Sequence, residues 1–374
     1  MFNVWGYDSN FTKLPGPLCQ SPDAWAVDSI IIDDHYSHIA CQSGLVDLHN
    51  QRRRWLRIRI GSQIETECNM KAIVYHNPTA GDEDVSHKEM KDALHAVGWT
   101  VIRFCTDADD FRELLAREPA DMLVVSGGDG TMRSAFRQLA GFSSTPILIL
   151  ARGTANNIAL SLGIDLDWEK RLSKIEGYSP QPFHFGEVQY GQGQCRDFFF
   201  ESVGVGVFAD YLHLIENDPD RADEIAGSDE DKDFSKDYRA MAHLAERAGG
   251  IDLEVIIGEE HVINLDPALW MEVTNTQTMG PRVKFLAKDD PQERKDLAMV
   301  YASCSHREKI ISWLEGQGQG DVRETGAMVK FGGTFFFSGQ IKAFHIDDEV
   351  HEGEEGVPTT LLIRRFNKPL FVLR

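Results

Sequence analysis

Apolar and polar positions along the chain fall into two regimes. From Met70 to Gly177, short apolar runs alternate with stretches of helical spacing. Residues 71–75 read as a first buried strand, 99–104 as a second, 122–125 as a third and 147–150 as a fourth. Between them, 85–97 carries helical spacing that ends at Gly98, and 111–117 is a short helix closed by Pro119. A further helix is expected to start near Thr131, with Met132, Ala135, Phe136 and Leu139 on its apolar face. Strand–helix alternation of this kind implies a parallel sheet wound with helices. Past Gly177 the pattern changes to strand-like pieces at 183–190, 197–205, 253–257, 269–274, 297–302, 335–337, 341–346 and 359–364. These predict a second, mainly antiparallel domain.

Residues 1–69 differ from both regimes. Pro15, Pro17 and Pro22 break any early helix, Gln51 to Arg54 is a basic run, and 30–32 and 56–60 are candidate short strands. This segment is expected to be a poorly ordered N-terminal extension. The expected division is therefore 1–69, an α/β domain at 70–180, and a β domain at 181–374 interrupted by an acidic insertion near 216–237. There Asp220, Asp229, Glu230 and Asp231 are among crowded carboxylates that read as a solvated loop or helix face rather than a metal site, because charge runs usually repel and stay wet.

Length and charge narrow the partners. A chain of 374 residues exceeds one typical core. With 38 Lys and Arg against 59 Asp and Glu, its formal charge of −21 opposes a nucleic-acid partner. No run nears the ~18 apolar residues of a spanning helix, and no leader pattern opens the chain, so a soluble cytoplasmic protein is expected. The six cysteines are scattered without CxxC pairing, which indicates neither zinc nor a disulfide framework. No stable protein partner is indicated.

Three strands end in polar or glycine-rich turns, which an open α/β sheet gathers at one edge, where ligands bind. Gly127-Gly128-Asp129-Gly130-Thr131 leads from a strand into a helix N-terminus, so bare amides and the helix dipole favour a phosphate. Asp129 would repel that phosphate unless Mg²⁺ lies between, and Mg²⁺ is commonly held by one or two carboxylates plus phosphate oxygens. Asn156 and Asn157 read as helix-capping residues. His76 reads as a neutral turn residue.

Together these turns resemble the diacylglycerol kinase catalytic family, which includes bacterial lipid kinases and sphingosine kinases. The matching segments are Asn77-Pro78-Thr79-Ala80-Gly81, Gly127 to Thr131, and Gly153-Thr154-Ala155-Asn156-Asn157-Ile158-Ala159, with Ser202 to Gly206 and 358–373 matching more loosely. The resemblance implies a Rossmann-like αβα nucleotide-binding domain followed by an antiparallel β-sandwich, with ATP in the cleft. It implies ATP contacts at Asn77, Thr106, Gly127, Gly128, Asp129, Gly130, Thr131, Gly153, Thr154 and Asn156, and Mg²⁺ at Asp129. The family's Asp-Gly-Glu motif stands here as Asp347-Asp348-Glu349, which implies Glu349 as general base with Asp347 supporting it and Asp129 on the metal or near the acceptor hydroxyl. Losing the central glycine removes access to positive φ. The family's segment for a structural Mg²⁺ is degraded to scattered acids at 287–297, and that site is not carried over.

The activity implied is ATP-dependent phosphoryl transfer to a lipid hydroxyl, such as diacylglycerol or a sphingoid base, in phospholipid metabolism and with transient contact to a membrane surface. Such catalysis is mostly positioning and electrostatics. NAD kinase or another small-alcohol kinase is the enzyme alternative, and a non-catalytic lipid or nucleotide sensor is the other. Phe198, Phe199, Phe200, Phe335 and Phe336 suit an acyl pocket or a core equally.

Overall fold

The computed structural model describes residues 70–81, 84–105, 108–227, 234–262, 265–286 and 290–374, and the backbone of five short strands between Ile31 and Thr66. Two of those strands, Ile31–Ile32 and Ile58–Ile60, fall on the early apolar runs. The expected disorder of the rest of 1–69 lies outside the described residues.

The first sheet has six strands in the order Pro180–Phe183, Leu370–Leu373, Ile147–Ala151, Met122–Gly127, Met70–His76, Trp99–Cys105. All are parallel except the edge strand Pro180–Phe183. All six residues of Met122–Gly127 are buried, because helices cover both faces of this central strand. On one face Met132, Ala135, Phe136 and Leu139 of the helix Asp129–Leu139 pack with Phe111 and Ile158; on the other, Met90 and Leu94 of His87–Ala96 pack against Val74 and Val124. A capping box between Ser86 and Glu89 starts the latter helix.

Two six-stranded antiparallel sheets form a sandwich. One runs Cys195–Phe199, Gly186–Tyr190, Thr359–Arg365, Thr334–Gly339, Leu253–Ile257, Glu260–Val262; the other runs Met328–Gly332, Leu297–Ser303, Ala268–Thr274, Ser202–Gly206, Ala343–Ile346, Glu349–Glu352. Between them lie Phe335, Phe337, Leu361 and Ile363 from the first and Val203, Val205, Met271 and Phe344 from the second. The outer face of the second sheet is also covered, by the helices Val207–Asn217, Ser235–Arg247 and Arg307–Glu315 through Phe208, Met241 and Trp313 against Trp270 and Val300. The mixed α/β class read from the sequence holds, and these three helices fall in the gaps between the expected strands, where no helix was predicted beyond the acidic stretch.

Two apolar runs expected as single strands are each broken. Residues 183–190 divide at His184 and Phe185, giving Pro180–Phe183 to the α/β sheet and Gly186–Tyr190 to the sandwich. Residues 197–205 divide at Phe200 and Glu201, so that Cys195–Phe199 and Ser202–Gly206 enter opposite sheets of the sandwich. A continuous apolar run carries no periodicity that marks such a break. The closing strand also departs from a division at residue 180, since Leu370–Leu373 returns to the first sheet beside Ile147–Ala151. Buried Arg171 ties these two together, donating through Nε to Ile149 O at 2.6 Å and through Nη2 to Leu373 O.

The glycine turns pack backbone to backbone. A Cβ on Gly153 would stand 2.5 Å from Gly128 Cα, and Arg152 N donates to Gly127 O at 2.8 Å. Gly153→Ala should therefore destabilise by about 1–3 kcal/mol through overpacking, read as a lowered urea midpoint at unchanged m-value.

Candidate active site

Two cavities take lining residues from the start of the helix Asp129–Leu139. One, a cleft of about 420 Å³, is lined by Asn77, Gly128, Gly130, Thr131, Gly153 and Thr154 of the expected nucleotide residues, with Tyr75, Gly81 and Ser134. The turns that shape it are held from behind. Asn77 N donates to Ser126 O at 2.9 Å, and Arg152 Nη1 to Asn77 O at 3.2 Å. Gly81, at φ +83°, leaves no room for a Cβ beside Arg152 O. Gly127 and Asn156 are buried behind the lining; Asn156, at φ 53°, closes its own turn by accepting from Gly153 N at 2.8 Å. Thr106 lies outside the described residues.

Asp129 is placed differently from the expectation. Its two oxygens accept from the amides of Asn157 at 2.9 Å and Ile158 at 3.1 Å, so it caps the next helix, Asn157–Ser161, and does not line the cleft. Burial pushes its carboxyl up, and those amides pull it back. Asn156, expected as the cap, makes no side-chain cap bond there. Among the described residues no group of three or more His, Cys, Asp and Glu is arranged to hold a metal. One carboxylate already accepting two N–H groups does not fit a protein-held Mg²⁺ site. His76 is buried and structural, bonded to Ser126 Oγ at 3.0 Å and Val85 O at 2.7 Å, with burial holding its pKa below the ordinary histidine value.

The second cavity, of about 250 Å³, has apolar walls from Phe208, Leu212, Ile215, Phe234 and Pro281 and a charged end made by Arg133, Glu201, Asp347 and Asp348. None of the five phenylalanines considered for an acyl pocket lines it; Phe199, Phe200 and Phe335 are fully buried in the cores. Tyr211 and Asp237, also in the lining, hydrogen-bond to each other.

The charged end depends on the break at Phe200 and Glu201. Three successive amides converge there on one side chain: Asp347 Oδ1 accepts from Phe200 N at 3.0 Å, Glu201 N at 2.7 Å and Ser202 N at 3.2 Å, while Oδ2 accepts only from Phe200 N, at 3.2 Å. Burial raises the Asp347 carboxyl to about 6, against the pull of Arg133. Asp347 itself adopts φ 53° in the turn between Ala343–Ile346 and Glu349–Glu352, whereas Asp348, in the place of the family's glycine, has no positive φ. The substitution expected to disturb the turn therefore falls where no glycine is required.

Arg133 was not singled out in the sequence, yet it organises this end. Its guanidinium pairs with buried Glu201 and with Asp348, 215 residues away. Glu201 is pushed up by burial and by Asp129, against Arg133, and accepts from Asn157 Nδ2 at 2.8 Å. The signal was present, as a lone acid in the apolar run Phe198 to Val207 must be paired if buried. One helical turn on, Arg137 pairs with Glu349 and, at 3.6 Å, with Asp197.

Glu349 is the main correction. Its side chain is half exposed, bound to Arg137, and lines neither cavity. It begins the edge strand Glu349–Glu352, where the turn that buries Asp347 sends the second residue after it outward.

Residues 71–188 match the family model described as the diacylglycerol kinase catalytic domain. Over 124 residues the chain is 32% identical to a probable lipid kinase YegS-like of Pseudomonas syringae pv. syringae, covering 31% of this chain and 39% of that protein. It is 27% identical over 153 residues to a putative lipid kinase of Streptococcus pneumoniae, covering 39% and 50%. The chain thus spans between about two fifths and half the length of the curated relatives it matches. A crystal structure of a putative diacylglycerol kinase from Bacillus anthracis str. Sterne shares the fold with a TM-score of 0.58 at 16% identity, over 81% of this chain and 96% of that one. The resemblance carried by the turn motifs is shown, over the first of the two regimes.

The two arginines give contrasting expectations. Arg133→Met strands Glu201 without its buried partner and should cost about 3–5 kcal/mol. Arg137→Met breaks a pair whose acid is half in water and should cost at most about 1 kcal/mol. Urea unfolding of both variants compares them directly.

Proposed function

We propose that the chain is an ATP-dependent lipid kinase in which the glycine-lined cleft takes the nucleotide and the apolar-walled cavity takes the acceptor alcohol. The observation that carries this reading is that one stretch of helix lines two chemically different cavities, Gly130, Thr131 and Ser134 the glycine-lined cleft and Arg133 the apolar-walled one. The cleft suits phosphates because a Cβ at Gly81 or Gly153 would close up its turns, and the N-terminus of Asp129–Leu139 supplies amides and a favourable dipole. ATP supplies the γ-phosphoryl group; the protein supplies orientation and a base.

Asp347, rather than Glu349, is the base in this reading. It faces the acceptor cavity, its Oδ2 has the freer lone pairs, and a carboxyl raised to about 6 lies close to working pH, where proton transfer is most effective. Arg133 then holds Glu201 and Asp348 so that the uncompensated charge at the cavity's end stays small. The apolar walls fit the glycerol or sphingoid end of a lipid, and Ile215, 39% exposed at the rim, marks where acyl chains would leave toward a bilayer surface. No step is routed through a metal. Mg²⁺ would arrive with the nucleotide phosphates.

Labelled γ-phosphate from ATP should enter an extracted lipid, and none should enter NAD; transfer to NAD, or binding without turnover, would favour the two alternative readings. Asp347→Asn should lower kcat by about 10²–10⁴-fold while ATP affinity holds, and Glu349→Gln should leave kcat near wild type. Because the base must be ionised, kcat should rise with pH through about 6. A flat profile from about pH 5 to 8 would count against Asp347.

A further inference from the structure

Across the second sheet of the sandwich, Glu272, Gly204 and His345 lie side by side on three neighbouring strands. The middle residue has no side chain, and a Cβ there would collide with the Glu272 carboxyl. Glu272 and His345, two strands apart, therefore meet over the glycine, with His345 Nε2 at 2.9 and 3.0 Å from the two carboxylate oxygens. The other ring nitrogen, Nδ1, is 2.8 Å from the backbone oxygen of Asp347. A carbonyl oxygen only accepts, so Nδ1 carries a proton; a second proton on Nε2, donated to Glu272, would make the pair carboxylate and imidazolium. Both side chains are wholly buried. Trp270 Nε1 donates to Glu272 Oε1 at 2.9 Å, and the helix packed on this face sets the Phe208 ring edge-on to the imidazole at 4.9 Å. Charged and titratable groups acting on His345 are Glu272 and Asp347, with His351 on the next strand.

We propose that Glu272 and His345 form a buried carboxylate–imidazolium pair that positions Asp347, pinning its carbonyl and so fixing the left-handed turn from which its carboxylate reaches the acceptor cavity. The pairing rests on the geometry alone, and its catalytic consequence rests on Asp347 being the base. A left-handed non-glycine residue persists only where its surroundings over-determine it. Here three amides hold the carboxylate and one imidazole holds the carbonyl. The strain is thus offset from both ends of a single residue. Simple filling of space would not call for an acid and a base in this place, since a buried ion pair is no more stabilising than well-packed apolar groups.

Two measurements test this. The first is imidazole ¹⁵N NMR of the intact chain, with His345 identified among 13 histidines by the signal lost in His345→Gln. Its ring should remain doubly protonated at about pH 7.5, a unit above the ordinary histidine value; a neutral ring there overturns the pair. The second is Glu272→Gln, which keeps the volume and removes the charge. It should retain the wild-type circular dichroism and KM for ATP, lower kcat for lipid by about 10–100-fold, as loss of outer partners of a site does, and move the acid limb of kcat upward. Unchanged kcat and an unchanged limb overturn the positioning role. If Glu272→Gln fails to fold, the wild-type titration decides the pair. A wild type that phosphorylates no lipid overturns the kinase reading and the catalytic consequence, while a protonated His345 in it still supports the pair.

Discussion

The carboxylate of Asp347, held by three consecutive backbone amides, is the contact on which the site's geometry depends. Those amides are available only because the chain breaks from one sheet to the other at Phe200 and Glu201. The same break aims Glu201 inward, where it requires a cation, and Arg133 supplies it from the α/β unit. Asp129, Arg133 and Arg137 share one face of a helix at four-residue spacing. The first caps the next helix, the second binds the cavity's end, and the third binds its outer edge. One helix thus joins the two halves through a graded row, in which the pair Arg133–Glu201 is buried and the pair Arg137–Glu349 reaches into water.

Much of this was legible in the residues. The strands and turns of the first sheet could be read because buried parallel strands are short apolar runs that glycine or proline ends, as at Gly98, Pro119 and Gly127. The cleft lining followed for the same reason, with six of the named residues on it. What stayed hidden depends on contacts between distant segments. Nothing local to Glu349 distinguishes it from Asp347; only the pairing of Ile346 with Glu349 decides which acid turns inward. Asp129 looked like a phosphate-side acid because its partners, the amides of Asn157 and Ile158, carry no side-chain signature. The helices Val207–Asn217 and Ser235–Arg247 were obscured by the acidic stretch between them, although both bury Ala and Tyr side chains as amphipathic helices do.

Charge is unevenly placed around the helix Asp129–Leu139. The chain carries a formal −21, and the cavity at Arg133 concentrates acids around a single guanidinium. The glycine-lined cleft, by contrast, has no carboxylate in its lining and is walled by glycines, hydroxyls and amides. The same helix thus borders one acidic environment and one made of uncharged dipoles.

The closing strand has a consequence for how the molecule comes into being. Leu370–Leu373 lies between Ile147–Ala151 and Pro180–Phe183, inside the first sheet and not at its edge. A chain emerging from the ribosome can align its four leading strands early, but the slot beside Ile147–Ala151 must stay open until the whole sandwich has been made. Through that interval an apolar strand edge stands unpaired, the kind of surface that recruits other chains. The sheet is therefore completed last at a position next to its oldest core, after every strand of the sandwich has been synthesised.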